Sequence, residues 1–302
     1  MAATLDFGAR LGALGPFECP PVIAAAISGG SDSLALGLLL ADWIAGQGGR
    51  LHVLSVDHGL RAEARAESEA VARRFSALPG CSAQVLEWMG PKPDTGLQQA
   101  ARAARYRLMT DWCRQHGILH LALGHTADDQ AETVAMRRAE GSSSFGLAAM
   151  PVVTQRGGVR LLRPLLTVTR AALRDWLRAR GESWIEDPSN DAAKFERTRW
   201  RETLAGSGEG PALAAQAADF GAARDAQDRA VARWLAGAGR LHDEGYLTLD
   251  LDAWTQAAPD LRTAILRRAL LAVGGHDYPP APGQLDRLGA CLLYTSPSPR
   301  DR

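Results

Sequence analysis

The sequence predicts an α/β protein in which a domain built on a parallel sheet is followed by a small helical domain. Short apolar runs that predict buried strands alternate with helical patterns up to about residue 125. Because this alternation places a helix between successive strands, it favours parallel pairing through right-handed crossovers. From Gly206 onward the chain is Ala-rich and helical. Its 302 residues are enough for an α/β domain of about 200 residues and a smaller one.

The predicted elements follow a regular order. Apolar runs predict four strands, the third of them weak, at residues 22–27, 51–56, 85–88 and 120–123. Steps of three and four between apolar residues predict helices at 34–45, 62–77, 97–116, 212–238 and 261–273. In a parallel sheet, ligands bind beyond the carboxyl ends of the strands. Asp57, His58 and His125 directly follow predicted strands, so we expect them at that edge.

Composition also predicts where the domains divide. The Gly- and Ser-rich stretch 206–211 is typical of a linker, so we expect a first domain over residues 1–205 and a helical domain over 206–290. Residues 291–302 contain a Ser-Pro-Ser-Pro-Arg run without periodicity. They predict a disordered tail or a segment foreign to the native sequence, and in both interpretations the second domain is cut short.

Charge and cysteine content exclude several classes of protein. Acidic and basic residues number 34 each, so any surface that binds nucleic acid must be local. Segment 160–201 contains ten basic and six acidic residues, which is typical of such a surface or of a solvated helix face. No apolar run is long enough to span a membrane and no secretory signal is present, so we expect a cytoplasmic protein. The four scattered cysteines predict reduced thiols rather than a zinc site, an iron–sulfur site or a disulfide framework.

The six residues from Ser28 to Ser33 join the first predicted strand to the first predicted helix. Glycines allow the backbone to approach a ligand, and the amides of the new helix N-terminus favour an anion. Asp32 would repel that anion unless a divalent metal lay between them, so the loop predicts a polyphosphate with Mg²⁺. The alternative is a plain turn with Asp32 or Ser33 as the N-cap.

This loop lacks the Gly-Lys-Ser/Thr of common NTPases and resembles the loop of the N-type ATP pyrophosphatases. Further blocks resemble the tRNA(Ile)-lysidine synthases: residues 55–61, 101–106, 124–133, 163–166 and 184–191. The resemblance covers roughly residues 20–205. It implies an adenine nucleotide alpha hydrolase-like (Rossmann-like) fold for the first domain, catalysis there, and tRNA binding by the second domain.

The family resemblance implies a carbon–nitrogen ligase. ATP would adenylate C2 of the wobble cytidine of tRNA(Ile) with the CAU anticodon, and the ε-amine of L-lysine would then displace AMP. The implied cofactors are ATP and Mg²⁺, and a homodimer is compatible with this organisation. Adenylation is required because the C2 oxygen of cytosine is a very poor leaving group, while the amine must arrive unprotonated and aligned.

The resemblance also implies a role for each matching residue. The implied ATP-binding residues are Ser28, Gly29, Gly30, Ser31, Asp32, Ser33, Asp57 and His58. The implied catalytic residues are Asp32, which is also the metal ligand, His125, Asp128 and Glu132. Carboxylates suit a cationic amino acid, and those implied for lysine are Asp128, Asp129 and Glu132. The implied tRNA contacts are Arg102, Arg105, Arg137, Arg138, Arg163, Arg197 and Arg201.

Simpler interpretations exist for each motif. Asp128 and Asp129 are also typical of a helix N-terminus, with Glu132 completing a capping arrangement. Asp57-His58 is also typical of a strand-end turn, Arg102 and Arg105 of a solvated helix face, and segment 186–190 of an architectural turn. We favour the ligand-binding interpretation of the acidic residues because the blocks occur together.

The chain departs from the family pattern at three places. Residues 137–147 replace an Arg-Gly-x-Gly run, which puts their contact with tRNA or substrate in doubt, and Thr198 stands where asparagine is frequent. A further C-terminal domain for the acceptor stem has no room here, which predicts a weaker grip on tRNA or an incomplete sequence.

Two other functions compete with the ligase. A tRNA thiolase of the same superfamily would need a sulfur-handling cysteine pair or cluster, for which the four cysteines have no suitable spacing. GMP and NAD synthetases share the loop but not the blocks between residues 163 and 190. A non-catalytic ATP-binding module would bind ATP without releasing AMP.

Overall fold

The computed structural model describes residues 5–60, 62–141, 144–186, 196–274 and 280–294, with the backbone alone at residues 62, 144, 145, 196–198, 205 and 282. The chain divides into two compact units, Met1–Asp219 and Phe220–Arg302. This boundary falls inside a helix, Gly210–Ala238, whereas stretch 206–211 joins that helix to the preceding one.

The first unit is built on a six-stranded sheet with the strand order β3-β2-β1-β4-β6-β5. Its strands are β1 (Val22–Ala26), β2 (Arg50–Asp57), β3 (Cys81–Glu87), β4 (His120–Leu123), β5 (Val153–Arg156) and β6 (Val159–Leu162). All neighbouring strands are parallel except β5 and β6, which form an antiparallel pair. The predicted α/β class with a parallel sheet is therefore confirmed, and the sheet gains two strands that the sequence patterns did not predict.

Helices connect and cover these strands. They are α1 (Phe7–Gly12), α2 (Ser31–Gln47), α3 (Ala62–Ser76), α4 (Leu97–Gln115), α5 (Ala127–Ala139), α6 (Ser144–Leu147), α7 (Arg170–Ala179), α8 (Glu196–Ser207) and α9 (Gly210–Ala238). The predicted helices at 34–45, 62–77 and 97–116 agree with α2, α3 and α4 within a turn. Helix α2 begins three residues earlier than its apolar pattern because Gly30 caps it and Ser31 and Asp32 form its first turn.

The core of the first unit lies on both faces of the sheet. Alternate residues of β1 point to opposite faces, so Ile23 and Ala25 pack in a cluster with α2 and α7, while Ala24 packs in a second cluster with α4. All three side chains are fully buried. Since both faces are covered by helices, ligands reach this sheet at its strand ends.

The second unit contains the end of α9, a hairpin and three further helices. The hairpin pairs β7 (Gly239–Leu241) with β8 (Leu247–Leu249), and the helices are α10 (Leu251–Gln256), α11 (Pro259–Gly274) and α12 (Pro282–Tyr294). Trp254, Ile265 and Leu285 lie in its core. Helix α12 continues over the first four residues of segment 291–302, and the remainder lies outside the described part.

Among the described residues no helix combines the length and apolar character needed to cross a membrane.

Phe75 tests the packing of α3 against α2. Its side chain is fully buried, and a Cβ added at Gly37 of α2 would lie 2.5 Å from Cζ of Phe75. Phe75→Ala should therefore lower the free energy of unfolding by about 3–5 kcal/mol through lost burial and a cavity. Met89→Ala, at a side chain that is 77% exposed, should change it by less than about 0.5 kcal/mol. Urea unfolding measures both, and equal effects would contradict this packing.

Candidate active site

The loop from Ser28 to Ser33 lies between β1 and α2 and is closed by its own hydrogen bonds. Ser33 Oγ accepts from the backbone N of Ser28 at 3.1 Å and donates to the carbonyl of Gly30 at 3.1 Å. Gly29 has φ of +91°, a conformation that other residues rarely adopt. A Cβ there would also lie 2.6 Å from Cδ1 of Ile185, whose backbone N donates to the carbonyl of Gly29 at 3.0 Å. The loop is therefore fixed both by its serines and by the segment after α7.

Asp32 lies in the first turn of α2 and is paired with Arg170, the first residue of α7. Arg170 Nε donates to Asp32 Oδ2 at 2.9 Å, and Ser31 Oγ donates to Asp32 Oδ1 at 3.0 Å. Arg174, one turn further along α7, donates to Ser31 Oγ at 3.4 Å. Two arginines of α7 thus contact the start of α2.

Asp129 has a different role at each carboxylate oxygen. Its Oδ2 accepts from the backbone N of Thr126 at 2.8 Å and forms the capping box of α5. Its Oδ1 accepts from Nη2 of Arg170 at 3.2 Å. Neighbouring Asp128 accepts from the backbone N of Arg170 at 2.7 Å. Thr126 and Asp129 therefore cap this helix together, and Asp128 and Asp129 both hold Arg170.

Glu132 is buried, with 2% of its side chain exposed, and it takes no part in capping. Its Oε1 accepts from Nε of Arg201 at 2.8 Å and lies 3.8 Å from Nη1 of Arg170. Its Oε2 is buried and has no hydrogen-bond partner among the residues that the structure describes. A buried carboxylate oxygen without a donor is costly, and it suits a site that receives a donor from a ligand.

The structure thus brings Asp32, Asp129 and Glu132 together around one guanidinium. Burial acts to lower the pKa of Arg170, but the charges of Asp32, Asp129 and Glu132 outweigh it and hold the pKa above its ordinary value. With Asp128, which accepts from the backbone N of Arg170, four carboxylates thus contact Arg170 and Arg201. Carboxylates in this arrangement attract cations, as the two arginines show.

His125 follows β4 and is half-buried. Burial lowers its pKa to about 3; Arg163, Arg102 and Arg105 act in the same direction, and Asp129 opposes them. Its Nδ1 is buried and forms no hydrogen bond within the described part of the chain. The imidazole is therefore neutral at pH 7 and suited to a hydrogen bond with a ligand, whereas a group of such low pKa is a weak base.

Gly124 allows β4 to approach the loop. A Cβ at Gly124 would lie 3.1 Å from Cα of Ser33 and 3.2 Å from its backbone N. These are backbone atoms in the first turn of α2, so they cannot move aside as a flexible side chain can. Glycine at this position therefore brings His125 near the phosphate loop.

Asp57 and His58 lie at the end of β2, and Asp57 forms a turn in which Oδ1 accepts from the backbone N of Gly59 at 2.8 Å. His58 meets Trp88 edge-on with ring centroids 5.9 Å apart, and Lys92 Nζ lies 4.3 Å from the Trp88 centroid. Burial lowers the pKa of His58, as do Arg105 and Lys92, while Asp57 raises it. The contact of the Asp57 side chain is therefore that of a strand-end turn.

The arginines expected to contact tRNA have diverse environments. Arg102 is exposed and Arg105 half-buried on α4, and both guanidinium groups lie within 6 Å of the Tyr106 ring centroid. Arg138 is exposed and donates to Gln216 Oε1 at 2.5 Å. These positions leave cationic groups near the surface of the first unit.

Three of the remaining arginines form hydrogen bonds or ion pairs within the protein. Arg163 is buried and donates to the carbonyl of Pro151 at 2.8 Å, while Arg137 donates to the carbonyl of Gly146 at 2.6 Å. Arg201 pairs with Glu132. Arg197 belongs to α8, but its side chain lies outside the described part.

Sequence reasoning missed Arg170, which contacts more of the expected site residues than any single residue it selected. The only signal was general, because Arg170 belongs to the basic segment 160–201 and follows Thr169, which caps α7. Ile185 was included only in a block of family resemblance, although it packs on the loop. Both residues reach the site through tertiary contacts, which leave no local pattern.

Within the described ranges, no group of three or more His, Cys, Asp and Glu residues is arranged to hold a metal ion. Asp32 is the carboxylate in the first turn after the loop, and 20% of its side chain is exposed. Mg²⁺ retains several waters and takes phosphate oxygens, so one or two carboxylates suffice for it. Asp32 therefore fits Mg²⁺ bound together with a polyphosphate.

The low pKa of His125 predicts how stability changes with pH. A histidine in the unfolded chain binds a proton below pH 6.5, whereas folded His125 binds one only near pH 3. Between these values protonation favours the unfolded state, so the free energy of unfolding decreases as the pH falls. When the pH falls from 7 to 5, the free energy of unfolding should therefore decrease by about 1–2 kcal/mol less in His125→Asn than in the wild type. Urea unfolding at both values measures this, and parallel losses would contradict it.

Comparison with known proteins identifies the family. Residues 13–207 match the PP-loop domain family. The chain is 41% identical to a tRNA(Ile)-lysidine synthase of Ruegeria pomeroyi over 276 residues, covering 86% of this chain and 63% of the relative. It is 39% identical to the enzyme of that name from Bradyrhizobium diazoefficiens over 290 residues, covering 90% of this chain and 78% of the relative.

A solved structure resembles the fold. The U34-tRNA thiolase NcsA from Methanococcus maripaludis, with its [4Fe-4S] cluster, superposes with a TM-score of 0.60 at 18% identity. The match covers 71% of this chain and 77% of the thiolase chain, and at that identity it shows the fold alone. By contrast, the sequence matches to the Ruegeria and Bradyrhizobium proteins extend over most of the chain at about 40% identity. The chain therefore belongs to the tRNA(Ile)-lysidine synthase family of PP-loop proteins.

Proposed function

We propose that the protein ligates L-lysine to C2 of the wobble cytidine of tRNA(Ile) with the CAU anticodon, using ATP and releasing AMP and pyrophosphate. The chain spans about 63% of the length of its Ruegeria relative, so the activity of the whole protein is part of the proposal. The observation that carries it is the carboxylate cluster of Asp32, Asp129 and Glu132 next to the loop. That cluster suits a cationic substrate beside a nucleotide.

The first step is adenylation of the cytidine. The C2 oxygen attacks the α-phosphorus of ATP, an O–P bond forms, and the bond from that phosphorus to the β-phosphate oxygen breaks. The loop of Ser28–Ser33 would hold the departing pyrophosphate with backbone amides and serine hydroxyls. Mg²⁺, held by Asp32, would neutralise phosphate charge when bound.

The second step is attack by lysine. The ε-amine forms a C–N bond at C2, and the bond to the activated oxygen breaks so that AMP leaves. Before this step the ε-ammonium must lose a proton to solvent, and Asp128, Asp129 or Glu132 would orient the amino group. Glu132 Oε2, which is buried and accepts no hydrogen bond from the described ranges, is our candidate for the direct contact with that ammonium.

His125 has a positioning role in this proposal. Its pKa of about 3 makes it far too weak a base to deprotonate an ammonium group. A neutral imidazole, whose Nδ1 has no partner in the described structure, would instead form a hydrogen bond with the nucleotide or with the cytidine.

The tRNA would be bound chiefly by arginines. Arg102, Arg105 and Arg138 present charge near the surface, whereas Arg137, Arg163 and Arg201 would act by positioning segments of the site. We assign catalysis to residues 1–205 and tRNA binding to the helical region 206–290. The reaction belongs in the cytoplasm, where tRNA, ATP and free lysine meet, and the proposal holds for a monomer and for a homodimer alike.

The direct test is nucleoside mass spectrometry of tRNA(Ile) transcript incubated with the protein, ATP, Mg²⁺ and isotope-labelled lysine. We expect labelled lysidine, with pyrophosphate release that requires both lysine and tRNA. Pyrophosphate release without a lysine requirement would instead indicate a related activity such as thiolation. ATP binding without any AMP would indicate a non-catalytic module.

Two substitutions test the roles of the carboxylates. Asp32→Asn should lower pyrophosphate release at least about 100-fold, because the loss of a group that stabilises phosphate charge costs about 3 kcal/mol of the barrier. Glu132→Gln should raise the KM for lysine about tenfold or more and leave the KM for ATP within about twofold. Steady-state assays measure both effects.

Glu69→Gln is the matched control, since Glu69 pairs with Arg65 and Arg73 on the exposed face of α3. It should behave as the wild type. An equal rise of both KM values in Glu132→Gln would refute the lysine contact and favour a purely structural role for this residue.

A further inference from the structure

We propose that Arg170 is a positioning residue that couples nucleotide binding to lysine binding, by exchanging its guanidinium between the carboxylate cluster and the phosphates at the loop. The inference rests on the proposed function, since it concerns the same two substrates. Nothing in the local sequence of Arg170 assigns it this role, which follows from its contacts.

The first step of the argument is geometric. Each nitrogen of the Arg170 guanidinium faces a different carboxylate: Nε is 2.9 Å from Asp32, Nη2 is 3.2 Å from Asp129 and Nη1 is 3.8 Å from Glu132. Only 16% of the side chain is exposed. Arg170 is therefore an internal cation of the site rather than a surface charge.

The second step is competition. Asp129 and Glu132 are proposed contacts of the lysine ammonium, and both are already within ion-pair distance of Arg170. Two cations that share the same carboxylates repel each other at short range. While Arg170 stays on the cluster, lysine should therefore bind weakly.

The third step identifies what would move the guanidinium. Asp32 belongs to the first turn after the loop, so the guanidinium nitrogen bonded to it already lies beside the proposed phosphate site. Phosphate oxygens form strong, frequently bidentate hydrogen bonds with guanidinium groups. A triphosphate at the loop would draw the guanidinium toward itself and leave Asp129 and Glu132 to the lysine.

The fourth step is that this exchange needs only the side chain to move. The backbone N of Arg170 is held by Asp128 Oδ2 at 2.7 Å, and Thr169 caps the same helix through Ala172. The helix start is therefore fixed, while the long arginine side chain can change rotamer. The proposed exchange requires no rearrangement of α7.

The test measures lysine binding by equilibrium dialysis with radiolabelled lysine, using the full chain. Each protein is measured alone and with saturating α,β-methylene-ATP and Mg²⁺. In the wild type we expect the analogue to tighten lysine binding about tenfold, within the range usual for coupled sites. By reciprocity, saturating lysine should tighten binding of the analogue by the same factor.

Arg170→Gln removes the internal cation. We expect it to bind lysine more tightly than the wild type when no analogue is present, and to reduce the coupling factor to less than about twofold. Arg170→Lys keeps a cation but loses the planar fork, and it should retain part of the coupling. Arg178→Gln is the matched control on the same helix, because Arg178 forms an exposed pair with Asp175, and it should keep the wild-type coupling.

Four outcomes would overturn the inference. Undiminished coupling in Arg170→Gln would show that another group carries it. An equal weakening of lysine binding with and without the analogue would show that Arg170 only supports the structure, and Arg170→Lys decides the case if the Gln variant does not fold. A wild type that binds lysine without any coupling also refutes this inference alone, whereas a wild type that binds no lysine in either condition refutes the proposed function as well.

Discussion

The site depends on one electrostatic constraint: several carboxylates are held close together in a largely buried place, and arginines make that arrangement tolerable. Ionised carboxylates repel one another, and burying them unpaired costs several kcal/mol each. Arg170 meets Asp32 of α2 and Asp129 and Glu132 of α5, while Arg201 of α8 meets Glu132. These contacts join helices that are remote in sequence, so the same ion pairs that form the site also fix the relative positions of its helices.

The parallel sheet explains why such remote residues meet. Strands β1 and β4 are hydrogen-bonded neighbours, so the helices that follow them, α2 and α5, both begin at the same edge of the sheet. Helix α7 packs against α2 in the same hydrophobic cluster and supplies Arg170 at its first residue. Gly124 narrows the gap between β4 and the loop. Backbone topology thus brings the acidic and basic groups within a few ångströms, and side chains complete the contacts.

Capping and ligand binding are not alternatives at the start of α5. Asp129 uses one oxygen for the capping box with Thr126 and the other for Arg170. A carboxylate that caps a helix has a fixed rotamer, so its second oxygen is presented in a fixed place. The capping interpretation was thus right for Asp129 but wrong for Glu132, whose contacts are with arginines.

The sequence by itself determined the order of strands and helices up to β4 and the position of the loop between β1 and α2, because apolar periodicity, glycines and helix-start residues act over short stretches of chain. It did not predict the antiparallel β5–β6 pair, whose short strands carry little periodicity, nor the junction inside α9 at which the two units divide. Only the tertiary structure decided that Arg163 is buried against the Pro151 carbonyl and that Arg170 joins three carboxylates. The physical reason is that a charge on a long side chain finds its partner through space, and the partners of Arg170 lie as many as 138 residues away along the chain.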